Sequence, residues 1–296
     1  MKNIDIKNEV DFSYAVAFGR NRGFIQPSEQ ERLTKARIAV AGLGGVGSAQ
    51  VQALARLGIG KFTLADLDVF ELSNFNRQLG ARMDTLGKKK TEVSRQAVHS
   101  VNPEADVTLI ENGIRRDTID AFLQDADLVV DALDFNCFEE RFLLYKRARE
   151  KGLWVINVAP PGFGMTLLVF NPKGMSFENY FDLQAGLPKT ELALRFMCGI
   201  TPSLLPLRYV DRKNVTLEGE AFPCVSPAFF LAAGVTATEV FNLLNKKNPS
   251  GSVPWVYQFD AFLREYKRKY YPFGMRSPWQ RLKRWMIRRM TTSRIG

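Results

Sequence analysis

The stretch from Arg37 to Arg56, RIAVAGLGGVGSAQVQALAR, constrains this chain more than any other, because it joins a buried-type strand to a helix through four glycines. Ile38, Val40 and Leu43, with two alanines between them, form the short apolar run expected of a parallel strand covered on both faces. Gly42, Gly44, Gly45 and Gly47 follow where the chain must turn tightly, and Ser48 is expected to open a helix through Leu57. Without a Cβ in the way, backbone N–H groups can approach phosphate oxygens, and the helix N-terminus adds about half a positive charge. The G-x-G-x-x-G spacing therefore points to a nucleotide, without saying which nucleotide or which reaction.

The following strand signal, GKFTLADLD, places Asp66 at its C-terminal end, 19 residues beyond Gly47. A nucleotide-binding unit carries an acid there to accept hydrogen bonds from ribose hydroxyls; a solvated turn-capping Asp is the plainer alternative. Upstream, Ser28 and Glu31 have the spacing of a capping box and predict a short helix before the first strand. Downstream, a helix is expected from about Lys88 to His99. Lys88, Lys89 and Lys90 at its start oppose the macrodipole unless something anionic, such as a phosphate, offsets them; three solvated lysines are the alternative.

Strand signals recur at DVTLI, DLVVDAL and LWVINVA, separated by helical stretches around Thr118 to Gln124 and Cys137 to Lys151. Such βαβ alternation predicts a Rossmann-like, doubly wound, mainly parallel sheet. Beyond Val158 the pattern changes to alternation and turns that suit antiparallel strands continuing the sheet. Leu183 to Leu217 is proline-punctuated and reads as a crossover, Ala228 to Leu244 as an apolar helix, and VPWVYQFD as a last strand. The expected organisation is a nucleotide-binding half over 1–156, a second half over 157–262 with the crossover and last core helix, and a tail over 263–296. Asp131 and Asp134 end a strand where open α/β sheets bind ligands, so the pair can hold a magnesium ion brought by a nucleotide or simply cap the next helix.

The chain has 41 basic and 31 acidic residues, but Arg264 to Gly296 holds eleven Lys and Arg against Glu265 alone, so the remainder is balanced. In SPWQRLKRWMIRRM, Trp279, Leu282, Met286 and Met290 share one helical face flanked by Trp285, with Arg and Lys on the rest. That suits an anionic membrane surface, an acidic partner or RNA, and equally a terminal helix docked on its own subunit. The polar N-terminus and the lack of a long charge-free apolar run suggest a cytoplasmic protein, peripheral at most. Cys137, Cys198 and Cys224 are too far apart for a zinc knuckle or a disulfide framework.

The motifs GLGGVGS, LADLDVFELSNFNRQ, GKKKTE and VVDALD, in that order, resemble the ThiF/MoeB family, bacterial relatives of ubiquitin-activating enzymes that adenylate a carboxylate with Mg-ATP. The resemblance covers about Phe18 to Phe170 and resumes around Ser226 to Leu244. It implies that Gly42, Gly44, Gly45 and Gly47 cradle the phosphates and that Asp66 holds the ribose. It also puts Asn74, Arg77, Gln78 and Lys90 around the triphosphate, with Asp134 positioning magnesium. It further implies a homodimer in which Arg20, with Arg22 as second choice, crosses onto the partner's phosphates. On this reading Arg20, Arg77, Lys90 and Asp134 are the catalytic set, ATP and Mg2+ the cofactors, and a carboxylate, such as a small protein or peptide C-terminus, the substrate.

The chain departs from the family in three ways. Paired C-x-x-C motifs are absent, so no zinc is expected; Asp134-Phe135-Asn136 displaces the asparagine that usually follows the acid; and the thiol-bearing position of relatives aligns nearer Gly219 than Cys224 or Cys198. A carboxylate is already ionised at neutral pH, so a chain with His99 as its one histidine lacks nothing that adenylation needs. A nicotinamide- or flavin-dependent oxidoreductase, a non-catalytic nucleotide-binding scaffold and, within the family, a tRNA-modifying dehydratase are the competing readings.

Overall fold

The computed structural model describes residues 11–211, 223–247 and 251–292. In chain order these form α1 (Tyr14–Ala17), α2 (Pro27–Lys35), β1 (Arg37–Ala41), α3 (Gly45–Leu57), β2 (Lys61–Ala65), α4 (Lys90–His99), β3 (Asp106–Ile110), α5 (Ile119–Phe122) and β4 (Leu128–Asp131). There follow α6 (Phe138–Glu150), β5 (Trp154–Ala159), β6 (Gly164–Phe170), α7 (Phe177–Phe181), α8 (Lys189–Ile200), α9 (Ser226–Asn245), β7 (Trp255–Asp260), β8 (Glu265–Tyr270) and α10 (Pro278–Thr292). The strands make one eight-stranded sheet in the order β3-β2-β1-β4-β5-β6-β7-β8. Neighbours from β3 to β5 pair parallel, and β5 with β6, β6 with β7 and β7 with β8 pair antiparallel.

The unbroken apolar character of the central strands follows from burial on both faces. Ile38, Val40, Leu64 and Val130 face a core closed by Leu33 of α2, Leu54 of α3, Val98 of α4 and Val240 of α9. Ala39, Ala41, Ala65 and Val129 face the other way, where the small side chains leave room for Phe122, Phe138, Tyr145, Phe177 and Phe196. Each fully buried Leu or Phe removes enough apolar surface from water to contribute about 1.5–3 kcal/mol. α9 is long and apolar enough to cross a membrane by length and composition, but it lies in this core, where Gln50 of α3 donates to Thr236 Oγ1 at 2.7 Å.

Several local expectations change. The capping box of α2 is formed by Gln26 and Glu29 with Pro27 at the first helical position, not by Ser28 and Glu31, because proline fixes the start two residues earlier. α3 begins at Gly45 rather than Ser48, and α4 at Lys90 rather than Lys88. VPWVYQFD is not the last strand: β8, inside the basic tail, pairs along the whole of β7. The crossover contains α8 and a 3-10 turn at Leu205–Arg208. Gly219 lies outside the described residues.

Candidate active site

In this strand order the direction of winding reverses between β1 and β4, and the crevice outside the carboxyl ends of those strands is where open α/β sheets take ligands. The loop after β1 holds the glycines and the loop after β4 holds Asp134. Gly42 has φ +91°, and a Cβ there would overlap the Ala132 carbonyl of the neighbouring loop. A Cβ on Gly47 would overlap the Gly42 carbonyl oxygen. The two loops therefore close on each other because Gly42 lacks a side chain, and the first turn of α3 closes back on the loop after β1 because Gly47 does. At the mouth, a Cβ on Gly44 would stand 3.6 Å from Asp134 Oδ1 and 3.7 Å from Gln78 Nε2. Gly44, Gln78 and Asp134 are thus brought together from three separate loops.

Ser48 ties this cradle down. Its hydroxyl donates to the Gly44 carbonyl at 2.6 Å and accepts from the Leu79 N–H at 3.1 Å, joining the glycine loop to the segment that carries Arg77 and Gln78. Gln78 is buried, and its Oε1 lacks a hydrogen-bond partner among the described residues. Arg77 Nη1 donates to the Ser73 carbonyl at 2.9 Å and to Asn76 Oδ1 at 3.1 Å, which holds the guanidinium beside the pocket. Asn74 is turned to the backbone instead: its Oδ1 accepts from the Glu71 N–H at 3.0 Å. Beside the crevice a pocket of about 300 Å³ is lined by Asn76, Arg77 and Gln78 on one wall and Ser226, Phe229 and Phe230 of α9 on the other, without the glycines, Asp66 or Asp134. Phe229 packs against Gly45 so closely that a Cβ there would overlap its ring. Sequence reasoning did not assign α9 or Ser48 to the site; the serine that follows the glycines in GLGGVGS was the available signal. A cavity of about 230 Å³ by Tyr145, Arg149 and Met175 contains none of the candidates.

Asp66 accepts from the Leu43 N–H at 2.6 Å and the Asp68 N–H at 2.9 Å, so the acid after β2 is locked against the glycine loop. Burial raises its pKa above the usual carboxylate value, against the attraction of Lys90 and these two N–H groups. A carboxylate has about four lone-pair sites, so two remain for hydroxyl donors. Lys90 is 4% exposed and pairs with Asp68 Oδ2 at 2.8 Å, while Lys89 pairs with Glu111 at 2.6 Å. Lys89 and Lys90 therefore already have anionic partners, and no phosphate is needed to explain those two.

Asp131 corrects the idea of a carboxylate pair for magnesium. It is 1% exposed and its Oδ2 accepts from Arg141 Nε at 3.0 Å, Tyr145 Oη at 3.0 Å and Asn157 Nδ2 at 3.1 Å, with the Leu133 N–H on Oδ1 at 3.1 Å. Arg141 in turn donates to the carbonyls of Leu133, Asp134 (2.8 Å) and Phe135 (3.1 Å). Asp131 organises the loop, and exposed Asp134 is what the loop presents. No cluster of three or more His, Cys, Asp and Glu occurs among the described residues. One exposed carboxylate beside a phosphate cradle nevertheless fits magnesium, which is commonly held by one or two carboxylates, waters and the phosphates of its nucleotide.

Arg20 is not brought to this site. It lies exposed in a 3-10 turn, Gly19–Asn21, whose Asn21 donates to the Leu57 carbonyl at 3.2 Å, at the C-terminal end of α3. The glycine loop is at the other end of a 13-residue helix, about 20 Å away. Cys224 lies near the pocket, its carbonyl accepting from Asn76 Nδ2 at 3.3 Å, and Cys198 is buried. His99 Nε2 is 3.0 Å from the Ala105 carbonyl, at the far end of α4 from Lys90.

A sequence model described as the ThiF family matches residues 18–272, across both the parallel and antiparallel parts of the sheet. The chain belongs to the ThiF family. Among ThiF-family relatives, the SAMP-activating enzyme E1 of Haloferax volcanii is 31% identical over 201 residues, 67% of this chain and 73% of that one. The tRNA threonylcarbamoyladenosine dehydratase of Haemophilus influenzae is 43% identical over 123 residues, 41% of this chain but only 47% of the relative. The match thus spans about half of that protein. In fold, the microcin C7 biosynthetic enzyme MccB, solved with N-formylated MccA, superposes with a TM-score of 0.65 at 22% identity, covering 91% of this chain and 76% of that one. The ThiF-family assignment accounts for a Rossmann-like sheet continued by three antiparallel strands.

Proposed function

We propose that this chain is an ATP-dependent adenylyltransferase that joins a substrate carboxylate to AMP and releases pyrophosphate. The observation that carries the reading is the convergence of Gly44, Gln78 and Asp134 at the crevice between β1 and β4. The names of ThiF-family relatives support it, and magnesium would supply charge neutralisation on the phosphates when bound with ATP through Asp134. A carboxylate oxygen attacks the α-phosphorus, the bond to the bridging oxygen breaks, and that oxygen leaves with pyrophosphate. No proton need be removed from the nucleophile, so the chain's task is to position and to neutralise. Backbone N–H groups after Gly42 and the N-terminus of α3 receive phosphate oxygens, Arg77 adds charge beside the pocket, and Asp66 accepts the ribose hydroxyls. Lys90, paired with Asp68, sets the field around Asp66 and bears on the nucleotide from behind it. Asn74 acts through the turn it caps.

The substrate is a carboxylate at the end of a small protein or peptide, and the working unit is a homodimer. Arg20 lies too far from its own glycine loop to serve it, and Leu67, Leu72 and Met83 are 63, 68 and 75% exposed on the segments flanking the site, an apolar surface suited to a partner. Calorimetric titration with Mg-ATP, and separately with NADH, on wild type and Asp134→Ala tests the reading, followed by pyrophosphate exchange with candidate carboxylates including modified tRNA. ATP binding that depends on Asp134 supports it. Binding of NADH without ATP overturns it, and exchange driven only by tRNA replaces the peptide substrate with the nucleoside one.

A further inference from the structure

α10 is docked on its own subunit, but by its polar side. Gln280, Arg284 and Ile287 are its buried residues among those whose side chains are described. Arg284 Nη2 is 3.0 Å from Asp182 Oδ2, and the same carboxylate receives Arg195 at 3.0 Å and Arg276 at 3.3 Å. Lys283 donates to the Pro202 carbonyl at 2.9 Å, Arg288 pairs with Glu191, and Ile287 packs on Leu194 and Cys198 of α8. The opposite side presents Trp279, Leu282, Trp285 and Met286, which are 74, 45, 49 and 50% exposed. A surface helix ordinarily turns its apolar stripe inward. Here four large apolar groups lie outward within about 10 Å of helix. Met290, expected on the same face, has its side chain outside the described residues.

What covers that face is indicated by charge. α10 contains no acidic residue; Arg281 and Arg289 are exposed beside the apolar side chains, and the Arg289 guanidinium lies 4.1 Å over the Trp285 ring. Lys269 of β8 lies near enough to Lys283 to lower its pKa, after burial, which is the larger cause. A second copy of the chain, meeting this face by twofold symmetry, would bring the same cations against these. Nucleic acid satisfies the cations and can stack on indoles, but leaves Leu282 and Met286 against phosphate. The face is a convex helix side, so a protein partner would have to provide the groove. A bilayer surface accepts all the groups: indoles at headgroup depth, Leu and Met toward the acyl chains, and guanidinium groups on lipid phosphates.

We propose that the outward face of α10 docks this protein on an anionic lipid surface, with the helix lying in the plane of the interface. The full chain, floated with phosphatidylcholine vesicles with and without phosphatidylserine, should associate with the anionic vesicles only. Association should weaken with salt and fall at least about tenfold in Trp279→Ser/Trp285→Ser. Those side chains touch neither the crevice nor the docked side of α10, so thermal melting and Mg-ATP binding should match wild type. Failure to float with anionic vesicles at low salt overturns the proposal. So does undiminished floating of the double variant, which would make the attraction charge alone. Retention of tRNA or poly-glutamate without vesicle binding would assign the face to that partner instead.

Discussion

Removal of the Asp131 carboxylate separates the two acids at the end of β4. Asp131→Ala leaves Arg141, 2% exposed, as a buried cation without its carboxylate, strands the Tyr145 hydroxyl and leaves the Asn157 amide only the residue 131 carbonyl at 3.3 Å. Breaking a buried pair by deleting one partner costs about 3–5 kcal/mol. The unfolding entropy of a 296-residue chain, at about 2.1 cal/mol/K per residue, is about 0.6 kcal/mol/K, so the midpoint should fall by about 5–8 °C. Asp134→Ala, at an exposed position, should move it by about 1 °C while abolishing turnover. Differential scanning calorimetry of both variants, with pyrophosphate exchange as the activity assay, makes the comparison. If Asp131→Ala melts within about 2 °C of wild type, or Asp134→Ala loses as much stability as Asp131→Ala, the division into an organising and a presented carboxylate is wrong.

Three further outcomes are expected. Gly47→Ala forces a Cβ into the Gly42 carbonyl, which should cost about 1–3 kcal/mol of stability and at least tenfold in ATP affinity, readable by denaturant melts and calorimetry. Burial pushes the Cys198 thiol up to about 11, so the folded protein holds that proton where an unfolded thiol has lost it. Its alkylation should stay far slower than that of a free thiol until the protein unfolds, and its contribution to stability should decline above about pH 9, as followed by mass spectrometry and melting. Mixing Arg20→Ala with Asp134→Ala should restore about a quarter of wild-type exchange, because half of random pairs are mixed and each has one complete site; no recovery in mixed dimers would remove Arg20 from the partner's site.

What was legible in the sequence was local. Glycines, their strand and helix, and Asp66 at the end of β2 are set by chain geometry over a few residues, and the alternating strand and helix signals carried the sheet. What was not legible depends on partners far along the chain. Asp131 looks like a free acid until Arg141 and Asn157 close on it, and Lys90 looks unpaired until Asp68, 22 residues away, meets it across the loop. The tail concealed two things. β8 reads EYKRKY, too polar for a core strand, because among the described residues it is the edge of the sheet. The apolar stripe of α10 was visible, but which way it points was decided by Asp182, 102 residues upstream.

That polar last strand has its own effect on assembly. An edge strand exposes a row of unsatisfied backbone groups that invites another chain to extend the ladder. Lys267, Arg268 and Lys269 stand in succession on this strand, and although Lys267 pairs with Glu265 at 3.0 Å, the run keeps a net positive charge that opposes an identical strand arriving beside it. Among the described residues the sheet ends at this eighth strand, and its charge disfavours extension of the ladder by an identical strand.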